Sequence, residues 1–63
     1  MITTKLINKE DDACKFITQE GKEIFTTNIS SLVVGEIYQF QTIISGFSTI
    51  QDKLGNIYNV LIL

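Results

Sequence analysis

Proline, arginine, histidine and tryptophan are all missing from this chain. Without histidine the commonest general base is absent. The single cysteine, Cys14, has no imidazole to draw off its proton, so it is expected to be a small strand residue. No Cys/His spacing could hold zinc. Asp11 and Asp12 are adjacent but lack the alternating ligands and closing Glu of a calcium loop. The glycines stand apart as turn residues and form no phosphate loop. No enzyme and no cofactor is therefore expected. One cysteine cannot make an internal disulfide, which points to a reducing, cytoplasmic setting. There is no run of about 18 apolar residues to span a membrane, and no basic-then-apolar leader. Positive charge is scarce too. Five lysines against seven acidic residues leave a formal charge of −2, with no basic cluster. That argues against strong electrostatic capture of duplex nucleic acid. It leaves open single-strand binding through stacking.

What is present is a β-rich pattern in 63 residues, enough for one small domain. A chain this short buries only about 60% of its unfolded surface. Strands are predicted over Ile2 to Asn8, Ala13 to Thr18, Lys22 to Thr27 and Glu36 to Ile44. A last hairpin joins Phe47–Gln51 to Ile57–Leu63 around Asp52–Asn56. Charged Lys9–Asp12 makes the first turn. Asn28–Ser31 is turn-like, or a single helical turn capped by Asn28 or Ser30. Gly35 and Ser45-Gly46 punctuate the rest. Short strands spaced this closely suggest a small barrel or sandwich, and a barrel leaves no edges to aggregate. Alternation places Ile7, Ile17, Ile24, Ile37, Val60 and Ile62 inward.

The hairpin from Lys15 to Phe25 turns at Gly21 and sets Phe16 and Phe25 on adjacent strands. Two placements are open. Both rings lie outside over isoleucines in the core, giving a surface on which bases stack; or both are core, the usual fate of large apolar residues.

The order of segments resembles the cold-shock family of single-stranded nucleic-acid binders. Lys5-Leu6-Ile7-Asn8 is similar to that family's first strand. Phe16-Ile17-Thr18 with Glu20-Gly21 resembles the end of its aromatic motif and turn. Glu23-Ile24-Phe25-Thr26-Thr27, Ser30-Ser31-Leu32, Gly35-Glu36-Ile37-Tyr38-Gln39-Phe40 and Asn59-Val60-Leu61-Ile62-Leu63 follow in the family's order. The resemblance implies an all-β, five-stranded antiparallel OB-type barrel over residues 1–63. It also implies weak, sequence-tolerant binding of single-stranded RNA or DNA. Phe16 and Phe25 would stack bases, and Lys5 and Lys15 would meet phosphates. The departures fall on the stacking platform: Leu6 stands for a tryptophan, Cys14 for an aromatic and Thr27 for a histidine. They favour a rival expectation, a protein-interaction module that kept the barrel and gave up nucleic acid.

Overall fold

Period-two alternation becomes six strands in the computed structural model, which describes residues 1–41 and 46–63. They are β1 (Ile2–Lys9), β2 (Cys14–Thr18), β3 (Glu23–Thr26), β4 (Ile37–Phe40), β5 (Phe47–Asp52) and β6 (Ile57–Leu61). No helix forms among the described residues. The predicted strand from Glu36 to Ile44 is met by β4, and its stretch from Thr42 onward, with Ser45 of the break, lies outside the described residues. The six strands correct the expected five. Two reversals, at Gly46 and over Asp52–Asn56, fold the second half into a meander in which β5 pairs with both β4 and β6. Gly55 closes the second reversal at φ +90°, in the left-handed region that favours glycine.

All pairings are antiparallel, in the order β3-β2-β1-β4-β5-β6. The sheet is a strongly curled open half-barrel. Its curl brings the outer strands together over a short seam, where Thr26 bridges Ile62. There the Thr27 amide donates to the Leu61 carbonyl (2.9 Å), and the Leu63 amide donates to the Phe25 carbonyl (2.9 Å). One cause of the curl is visible in β1. Between Leu6 and Asn8 the register with β2 slips by one residue, and Ile7 is the extra residue of a bulge. Bulges bend a strand and increase its twist.

Inside the curl lie Leu6, Cys14, Phe16, Leu32, Tyr38, Phe40, Ile50 and Val60, with Ile24, Ile29, Tyr58 and Ile62 packed against them. Val60, Ile24 and Ile62 thus face inward as expected. Ile7, Ile17 and Ile37 do not: Ile7 and Ile37 are exposed and Ile17 is half-buried on the outer face. Turning Ile17 inward would carry Lys15 with it, because residues two apart share a face. Charged side chains are almost never fully buried without a partner. Turning Ile37 inward would bury Gln39 and expose Tyr38 and Phe40, a poorer exchange.

The segment after β3 crosses to β4 and lays Leu32 in the core. It is a turn rather than a helical turn, closed by the Leu32 amide on the Ile29 carbonyl (3.0 Å). Lys9 holds it from below: its Nζ donates to the carbonyls of Ser30 (2.8 Å) and Leu32 (2.6 Å). The Tyr38 hydroxyl accepts from the Val33 amide at 2.9 Å. Among the described residues every buried polar side-chain atom has a hydrogen-bond partner.

Candidate binding face

The register of the β2–β3 hairpin separates the two phenylalanines. Phe16 pairs with Ile24 and Phe25 with Lys15, so the rings lie on opposite faces. Phe16 is fully buried. Its ring meets Phe40 edge-on at 5.0 Å between centroids and Tyr38 edge-on at 5.9 Å. The exposure expected of Phe16 is therefore corrected: it is a core residue, and no base can reach its ring. The reason is the same parity that keeps Lys15 outside.

The other three expected site residues share the outer face. Phe25 is 42% exposed. Lys15 Nζ lies 5.7 Å from the centre of its ring and 3.7 Å from a Glu23 carboxylate oxygen. Lys5 sits on β1, opposite Ile17 on one side and Ile37 on the other. It borders a shallow cleft of about 190 Å³ lined also by Ile17, Gln19 and Ile37.

Cationic capacity on this face is small. Lys15 is paired with Glu23, Lys53 with Glu36 (3.4 Å), and Lys9 is spent on backbone carbonyls. Lys5 and Lys22 make no ion pair among the described residues.

Following the register past Phe25 uncovers a larger feature. Across the seam Phe25 stands opposite Leu63, and Thr27 opposite Leu61. Leu61 in turn pairs with Phe47 on β5. Phe47, Leu61 and Leu63 are 52%, 58% and 66% exposed. The four apolar side chains form one outward cluster over β3, β6 and β5, bordered by the Lys15–Glu23 pair. No family model, no curated protein and no solved structure matches the chain.

Phe47, Leu61 and Leu63 were not among the sequence-predicted site residues, although a signal for two of them was present. Placing Val60 and Ile62 inward obliges Leu61 and Leu63 to point out. Phe47 had no such marker, since no residue of its predicted strand, Phe47–Gln51, is assigned inward.

A further cleft, of about 150 Å³, is lined by Val33, Ile37, Tyr38 and Leu54 together with both partners of the Glu36–Lys53 ion pair. Small-molecule sites run about 300–1,000 Å³, so this cleft has room for a single side chain. Beside it Asp52 organises the β5–β6 turn. Its carboxylate accepts from the Leu54 and Asn56 amides (2.9 Å each), the Asn56 side chain (3.1 Å) and the Tyr58 hydroxyl (3.3 Å). Desolvation pushes this carboxyl upward, but the hydrogen bonds from Asn56, Leu54 and Tyr58 outweigh it and hold the group below its ordinary range. Cys14 is the opposite case. Burial raises its thiol, against the smaller lowering effects of a backbone hydrogen bond at Ile29 and of Lys9. It sits deep in the sheet, 3.3 Å from the Asn28 side-chain oxygen that it faces.

Proposed function

We propose that this domain is a protein-interaction module that docks through the outer face of its curled sheet. The observation that carries the reading is the contiguous apolar cluster of Phe25, Phe47, Leu61 and Leu63. It stands on rigid strands where cationic side chains are few. Monomeric proteins seldom expose larger apolar patches than about 300–600 Å², and those that do tend to use them. Aromatic residues are enriched at protein interfaces, and lysine and acidic residues are depleted. The small clefts on either side of Ile37 suit individual side chains of a partner rather than a free ligand. For the fold, the order of the cold-shock-like segments supports a reading as a cold-shock-like, partly open barrel with one strand added.

A second reading has one observation in its favour, the Lys15 ammonium over the exposed Phe25 ring. In that reading a single base of RNA or DNA stacks on Phe25, with Lys5 and Lys15 near its phosphates. One platform contributes about 1–3 kcal/mol, and one or two phosphate contacts give a salt slope of only about −1.

The two readings part in one pair of measurements. Affinity capture with wild-type and Leu61→Lys protein should recover a protein, whether another chain or a second copy, that the variant loses. Labelled single-stranded oligonucleotides at low salt should show no binding tighter than about 1 mM. Oligonucleotide binding that Phe25→Ala abolishes and Leu61→Lys leaves intact would replace the first reading by the second.

A further inference from the structure

We infer that the partner of the apolar seam is a second copy of this chain, an inference that rests on the docking reading above. The argument begins with charge. The border of the cluster carries one cation and one anion side by side, Lys15 and Glu23, 3.7 Å apart. A two-fold axis lays the same patch on itself. With the axis passing between these two residues, Lys15 of each copy meets Glu23 of the other. A border carrying one charge of each sign is complementary to its own two-fold copy. The formal charge of −2 is small enough that two copies repel only weakly.

Area points the same way. A standard interface takes about 800 Å² from each partner, about a fifth of the 4016 Å² surface of this chain. Fully burying an aromatic side chain removes about 150–250 Å². The four half-exposed side chains therefore supply roughly half of that area. Thr27, Lys15, Glu23 and Asn59, which surround them in the strand register, add to it. The result is an interface at the small end of the stable range, in which concentration decides the state of the protein. Packing is sheet on sheet, apolar row against apolar row, with the ion pairs exchanged at the border.

Sedimentation equilibrium of the purified chain, from about 10 μM to 1 mM, tests this. The average mass should climb from that of one chain toward that of two. Leu61→Lys, at an exposed position, should weaken association at least tenfold while the far-ultraviolet circular dichroism stays that of the wild type. Phe47→Lys is the second variant should the first perturb the sheet. Glu23→Lys should also weaken the dimer, and Lys15→Glu combined with Glu23→Lys should restore it. A single-chain mass up to 1 mM overturns the inference, as does a dimer indifferent to both Leu61→Lys and Phe47→Lys. In either case the docking reading survives only if capture recovers a different protein in a Leu61-dependent way, so the two failures are distinguishable.

Discussion

Replacing Phe16 with alanine should come close to unfolding the domain, while the same change at Phe25 should not. Phe16 is fully enclosed, pairs across strands with Leu6 and Ile24, and meets two aromatic rings edge-on. Removing a buried phenylalanine costs about 3–5 kcal/mol, including the cavity left behind. A domain of 63 residues has only about 3–9 kcal/mol in hand at the usual 0.05–0.15 kcal/mol per residue. The Phe16→Ala protein should therefore lose most of its cooperative transition. Phe25 is a little over half covered, and its Lys15 contact is at the surface. Its loss should cost about 1–2 kcal/mol, or roughly 5–15 °C in a domain of this size. Urea and thermal melts of the two variants, followed by circular dichroism, are the assay. A Phe16→Ala protein that melts at or above the temperature of Phe25→Ala would refute the placement of Phe16 and, with it, the face assignment of every residue on β2.

Three further outcomes are expected. Lys9→Met keeps the aliphatic stem but removes the donor to the Ser30 and Leu32 carbonyls; it should lower stability by about 1–3 kcal/mol in urea melts, and an unchanged midpoint would show that the crossing segment holds itself. Gly21 lies at φ +86° with open space around it, so Gly21→Ala meets backbone strain alone and should cost about 1–2 kcal/mol, with larger losses pointing to a contact that the turn does not show. The Asp52 carboxyl is depressed, so its stabilising contribution is fully present above the unfolded value near 3.9 and fades as pH falls through the lower folded value; the melting temperature of wild type should drop across that acid window, and Asp52→Asn should flatten the drop while lowering the plateau at neutral pH.

The all-β class and the turns were legible because β-branched residues alternate and glycine and asparagine punctuate. Faces were harder. On β3, and on β6 with the residues after it, Ile24, Val60 and Ile62 turn inward as expected. On β2 and β4 both rows are apolar enough to be core. The deciding fact is what each candidate row drags with it: Lys15 beside Ile17, Gln39 beside Ile37. Ile7 failed for another reason, the bulge, which is a property of two strands in register and has no mark in one of them. The six strands match the six segments that the pattern predicts, and it is the five-stranded count implied by the resemblance that differs. The outer cluster was half legible. Leu61 and Leu63 follow from the inward places of Val60 and Ile62, whereas their meeting with Phe25 depends on a seam between residues that are far apart in the chain.

That seam gives the protein a built-in gauge of its own breathing. Thr26, which bridges Ile62, is also the register partner of Cys14 on the neighbouring strand, and Asn28, just beyond, contacts the thiol. The closed sheet hides the sulfur, and burial raises the pKa of its thiol. Parting of the few hydrogen bonds at Phe25, Thr27 and Leu61 would uncover the side of the sulfur next to Thr26 and Asn28. Alkylation of Cys14 should then proceed at a rate set by how often that gate opens, well before global unfolding, because the least-bonded units of a fold open most often. A reagent that distinguishes free from modified thiol would count those openings directly. Any contact that clamps the Phe25–Leu63 row, a second chain included, should slow the count.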